Sequence, residues 1–169
     1  MSDHYQRIKG EYDHLQGDSV ALFRVILSAA AEIGMDAALA YLERCVIEKR
    51  IAWLHANRAA GRDTGDPVMA GFTWFYERYL GLSVPEDGEI MEHTERGILM
   101  RWWNPCPTLE ACRKLGLDTR VVCRKAYHRP VQEFLVQIHP ALRFDRNYER
   151  LRPHAACCEE MITLVELEG

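Results

Sequence analysis

With 169 residues, 48% of them hydrophobic and 27% charged, the chain is long enough to bury a core and too apolar to remain disordered. A net charge of −4 and a pI near 6.0 give no overall attraction to nucleic acid or acidic lipid. The polar start has no secretion-signal core, and Arg24, Glu32 and Glu43 interrupt the richest apolar stretch, so a cytoplasmic chain with no membrane span is expected.

Tyr5, Ile8, Tyr12 and Leu15 recur at helical spacing and predict a short amphipathic helix. Gly17-Asp18 breaks it, and Asp18 or Ser19 can cap the next helix, Val20 to about Ile33. That helix is apolar almost all round and is expected inside the core. Gly34 ends it. Asp36 begins a longer helix to about Ala59, with Leu39, Leu42, Val46 and Trp53 inward and Cys45 as core filling. Gly61 to Gly65 reads as a loop. Asp66-Pro67 then supplies an N-cap with proline at the first helical position. Met69, Phe72, Phe75 or Tyr76, and Leu80 form the expected buried stripe of that helix, which Gly81 closes.

From Pro85-Glu-Asp-Gly88 onward the pattern changes. Residues 90–94 and 98–103 read as two strands joined by a turn at Glu95-Arg96-Gly97. Three short helices follow: Thr108 to Leu115, Asp118 to Tyr127, and Pro130 to Ile138. Leu142 to Arg150 alternates like a strand with Phe144 and Tyr148 on one face, and Glu160 to Glu166 is the most strand-like run. The expectation is one α+β domain over residues 1–169. In it a helical part (1–83) packs on a cysteine-rich part (88–166) holding a small antiparallel sheet of about four strands.

Five of the six cysteines, Cys106, Cys112, Cys123, Cys157 and Cys158, fall after residue 100. In a reducing compartment such a gathering suggests a metal site, a reactive thiol or a redox pair rather than stapling disulfides. Cys106 sits between two prolines directly before a helix, where unpaired N–H groups favour a thiolate; a rigid turn around a small side chain is the equal alternative. Cys112 and Cys123, taken singly, read as core filling. Cys157 and Cys158 should point to opposite faces of an extended stretch. His154, Glu159 and Glu160 beside them are of the right type for proton carriers or zinc ligands, although no compact ligand spacing is present. Arg146 and Arg150 share strand parity, so both could hold a substrate carboxylate; a solvated strand edge is the plainer reading. Trp102 and Trp103 suit a core, a pocket or a homodimer interface, the core being the default.

The order of Cys123, the helix after it, the strand around Arg143 to Glu149 and the run Cys158-Glu-Glu-Met-Ile resembles the L-2-amino-thiazoline-4-carboxylic acid hydrolase family. It is similar, more distantly, to 4-vinyl-reductase-type sensor domains. The first resemblance implies a hydrolase that opens a cyclic C–N bond in a small carboxylated molecule. Cys106 or Cys158, or a metal-bound water, would attack, His154, Glu159 or Glu160 would move the proton, and Arg146 and Arg150 would clamp the substrate carboxylate. The second implies a zinc site, and four thiolates (Cys106, Cys112, Cys123 and Cys158) would suffice for zinc or an iron–sulfur cluster in a sensor or accessory module. Two departures stand out: the turn before the last cysteine reads Arg152-Pro-His-Ala-Ala156, without glycine, and arginine stands near 150 where the sensor domains carry a further cysteine.

Overall fold

The computed structural model describes residues 2–58 and 65–167, so the predicted loop lies outside the described residues except for Gly65. Helix α1 (Asp3–His14) is capped by Ser2, whose hydroxyl accepts from the Tyr5 amide. Helix α2 (Ser19–Ile33) is capped by Asp18, and α3 (Met35–Asn57) follows after Gly34. Helix α4 (Pro67–Phe72) opens on the Asp66 cap and widens into a π-helical stretch over Thr73–Tyr79. Strands β1 (Gly88–Thr94) and β2 (Gly97–Trp102) form a hairpin. Then come α5 (Pro107–Leu115), α6 (Thr119–Val122), a second π-helical stretch over Cys123–Tyr127, and α7 (His128–Ile138). Strands β3 (Leu142–Arg146) and β4 (Cys158–Leu164) complete an antiparallel sheet in the order β1-β2-β4-β3. The α+β architecture is the one expected.

Strand parity builds the sheet's inner face. Ile98, Met100 and Trp102 of β2, Glu160 and Ile162 of β4, and Leu142 and Phe144 of β3 are buried beneath α4 and α7. All but Glu160 form one core together with Phe72, Phe75, Tyr76, Phe134 and Leu54. A second core is helical: Tyr5, Ile8, Phe23, Ile26, Leu39, Leu42 and Cys45 pack with Cys112, Val122 and Ala126. The two cores therefore do not follow the halves of the chain. Helix α4 joins the sheet, whereas α5 and α6 join the N-terminal helices. Helix α3 bridges them, with Val46 in the helical core and Leu54 in the sheet core.

Three local expectations change. Leu80 is exposed rather than part of the buried stripe: the wider π-helical turns over Thr73–Tyr79 bury Trp74, Phe75 and Tyr76 together and leave Leu80 outside. Residues 119–138 run without a break, Cys123–Tyr127 continuing α6 into α7. Strand β3 stops at Arg146, so Tyr148 sits in the following turn, where its Oη lies 2.7 Å from His128 Nδ1.

Gly88 is fixed by a close approach. A Cβ there would lie 2.4 Å from the Arg101 carbonyl oxygen and 2.4 Å from the Trp102 ring. Gly88→Ala should destabilise the fold by about 1–3 kcal/mol, the usual range for overpacking, read as a lower denaturation midpoint at unchanged slope.

Helix α1 is tied to α3 through Glu48, which accepts from Lys9 Nζ (2.8 Å), Tyr5 Oη (2.8 Å) and Arg44 Nε (3.0 Å). The Lys9 bond above all, then the Tyr5 bond, lowers the Glu48 carboxyl from 4.5 to about 2. Its folded value lies below its unfolded one, so its stabilisation is complete above about pH 4.5 and disappears as pH falls toward 2. Glu48→Gln should therefore flatten that part of the acid-denaturation curve, followed by far-UV circular dichroism.

Candidate functional site

Between the two cores lies a cavity of about 400 Å³, within the range of small-molecule sites. The sheet contributes Trp102, Arg146, Cys158 and Glu160; α3 contributes Lys49 and Arg50. The two π-helical stretches contribute Phe75, Tyr79, Cys123 and Tyr127, and such stretches are often found at functional sites. The start of α5 adds Cys106, Pro107 and Thr108, and Arg152 lies on the approach to β4.

Register places the sheet residues. Cys158 and Glu160 are two apart on β4 and share its inner face, opposite Trp102 and Met100 of β2. Arg146 of β3 stands directly across from Glu160 on the other side. Its Nε donates to Glu160 Oε1 (2.9 Å), and Tyr76 Oη donates to Glu160 Oε2 (2.6 Å). The pair is almost sealed, with side-chain exposures of 9% for Arg146 and 10% for Glu160. Burial works against charge on Arg146, but the Glu160 carboxylate prevails and holds the guanidinium above its ordinary range. Burial, followed by Glu160, pushes the Tyr76 phenol well up, so it remains a donor.

The thiols divide by surroundings. Cys45 and Cys112 lie in the helical core, where burial pushes each up to about 11. Cys123 lines the cavity, but burial, only partly offset by Arg146, pushes it up to about 12. Cys106 and Cys158 also line the cavity. Cys106 caps α5, its Sγ accepting from the Leu109 amide at 3.5 Å. Cys158 Sγ accepts from Arg152 Nε at 3.3 Å, so negative charge developing on that sulfur meets a cation in hydrogen-bond contact. Arg152 is oriented in turn by Asn104, donating to its carbonyl (2.7 Å) and its Oδ1 (3.3 Å). Asn104, Cys106, Pro107 and Arg152 also line an outer cleft beside Trp103 and Arg113, so this corner is where the cavity meets the surface.

No family model, curated protein or solved structure matches this chain.

Several predicted site residues lie elsewhere. Glu159 has the opposite parity to Cys158 and Glu160 and faces the other side of the sheet. There it accepts from Arg101 Nε (3.1 Å) and Asn147 Nδ2 (3.1 Å), the Asn147 bond being first among the causes that lower its carboxyl. His154 is 3.4 Å from Asp118 and does not line the cavity. Arg150 follows the end of β3, so shared parity no longer brings it beside Arg146. Of the four cysteines considered as metal ligands, Cys106, Cys123 and Cys158 line the cavity while Cys112 is held in the helical core. Among the described residues, no group of three or more His, Cys, Asp or Glu side chains could hold a metal ion. The zinc that the sensor-domain resemblance implies does not fit this donor set.

Arg50 was not singled out by the sequence reading, although a signal existed. It stands four residues after Val46 and four before Leu54, on the very stripe by which α3 enters both cores.

Proposed function

We propose that the protein is a small-molecule hydrolase of the thiazoline carboxylate type, opening a cyclic C=N bond at a cysteine-centred cavity. The observation that carries this reading is the contact of Arg152 with Cys158 Sγ on the wall of a mainly apolar cavity. In the proposed reaction, Cys158 Sγ forms a bond to the carbon of the C=N group. The π pair moves onto the ring nitrogen, which takes a proton. The ring bond from that carbon to nitrogen then breaks, the nitrogen keeping the bonding pair, taking a second proton and leaving as the amine. The carbon is left on Cys158 until water replaces Sγ and restores the cysteine; one water is consumed overall.

Glu160, the one carboxylate on the described cavity wall, supports a proton-handling role. It lies two residues along the same strand face and is linked to the Tyr76 hydroxyl. Arg152 supplies charge stabilisation at sulfur.

The test is incubation of purified protein with L-2-amino-thiazoline-4-carboxylate, followed by mass spectrometry. The expected result is a product heavier by one water, formed by protein without stoichiometric zinc or iron on elemental analysis. Stoichiometric zinc, or iron with a visible absorption band, together with no turnover would favour a metal-binding sensor or accessory module instead.

A further inference from the structure

The cavity wall holds an unmatched set of donors. Arg50 is 8% exposed, yet its Nε and Nη1 have no hydrogen-bond partner, and no carboxylate pairs with it among the described residues. Trp102 Nε1 is likewise buried and unpartnered. These are the unsatisfied buried side-chain atoms among the described residues, and both side chains line the same cavity. All of them are donors, so whatever completes them must bring acceptors.

Charge gives the same answer. The cavity wall carries Lys49, Arg50, Arg146 and Arg152 against Glu160 alone. Glu160 is already taken by Arg146 and Tyr76, and Arg152 by Asn104 and Cys158. A buried guanidinium with no counter-charge is costly, and a bound anion removes that cost. The surroundings narrow the choice further. The Arg50 guanidinium carbon lies 5.2 Å from the centre of the Phe75 ring, 5.6 Å from Tyr79 and 5.9 Å from Tyr127. Rings pressed around the cation favour a flat organic body over a fully hydrated inorganic ion.

We propose that Arg50, assisted by Trp102 Nε1, is the carboxylate anchor of this cavity and selects small, flat organic carboxylates. The assignment rests on the functional reading above for its place in a reaction, but it concerns binding and can be tested without turnover. Arg146, which the sequence suggested for this task, is already committed to Glu160.

Binding is measured on Cys158→Ser protein, so that no chemistry intervenes, by calorimetry and thermal shift. The probes are thiazole-4-carboxylate, its neutral carboxamide, benzoate and inorganic phosphate. Thiazole-4-carboxylate and benzoate should bind, with the carboxamide and phosphate at least about tenfold weaker, the factor expected for loss of a charged hydrogen bond. Arg50→Met should lose at least about tenfold in carboxylate affinity, Arg50→Lys less, and Trp102→Phe a smaller part again. Without ligand, Arg50→Met should melt no lower than its parent, because it removes an unpaired buried charge; a purely structural arginine would give a lower melting point. Equal binding of carboxamide and carboxylate would overturn the proposal, as would tighter binding of phosphate, unchanged carboxylate affinity in both Arg50 variants, or no carboxylate binding at millimolar concentration. Carboxylate binding lost in Arg50→Met, beside a wild-type protein that turns nothing over, would leave the anchor standing and remove the hydrolase reading.

Discussion

Glu160→Ala should destabilise the protein by roughly 3–5 kcal/mol, which for a chain of this length lowers the melting temperature by on the order of 10 °C. The reason is what remains behind. Glu160 accepts from Arg146 and Tyr76 in a site where all three side chains are buried, so its removal strands a guanidinium and a phenol together. The converse substitution separates this account from simple loss of packing. The double variant Arg146→Met/Glu160→Leu removes both charges and should recover most of the stability lost in Glu160→Ala, with Arg146→Met alone lying near the single carboxylate variant. Equal melting of Glu160→Ala and wild type would mean that the pair contributes nothing beyond the area it covers.

The reach of the sequence followed the range of the interactions involved. Strand alternation around Ile98–Trp102 and Ile162–Leu164, and caps such as Asp18 and Asp66, are local signals, and they specified the sheet and several helix starts directly. The π-helical stretches left no mark in the 3.6-residue period, because one added residue per turn only moves which neighbours face inward; Leu80 was misplaced for that reason. Among the candidate site residues, parity separates Glu159 from Cys158 and Glu160, and this could have been read from β4 alone. Arg150 depended on where β3 ends, which the alternation through Tyr148 concealed. Arg50 is the instructive omission: a cation standing in an apolar stripe must either reach solvent or find a reason to be buried, and here the reason lies in residues far away in sequence.

Cys158→Ser should reduce turnover of a ring C=N substrate by at least about 10³-fold while leaving carboxylate binding intact, because it removes the attacking atom and not the anchor. Alkylation gives a separate readout that needs no substrate. Burial pushes Cys45 and Cys112 up to about 11 and Cys123 up to about 12, so near pH 8 these three are almost entirely protonated and should react slowly in the folded protein. Cys158, which lines the cavity in contact with Arg152, should be carbamidomethylated well ahead of them, as peptide mapping after brief iodoacetamide treatment would show. Arg152→Met removes the cation without touching the thiol. It should slow labelling of Cys158 by about tenfold and lower turnover in parallel, with labelling of Cys45 unchanged. Turnover unaffected in Cys158→Ser but lost in Cys106→Ser would move the nucleophile across the mouth to the cap of α5. Loss confined to Cys45→Ser would contradict the cavity altogether, since that thiol is enclosed among Tyr5, Leu42 and the rest of the helical core.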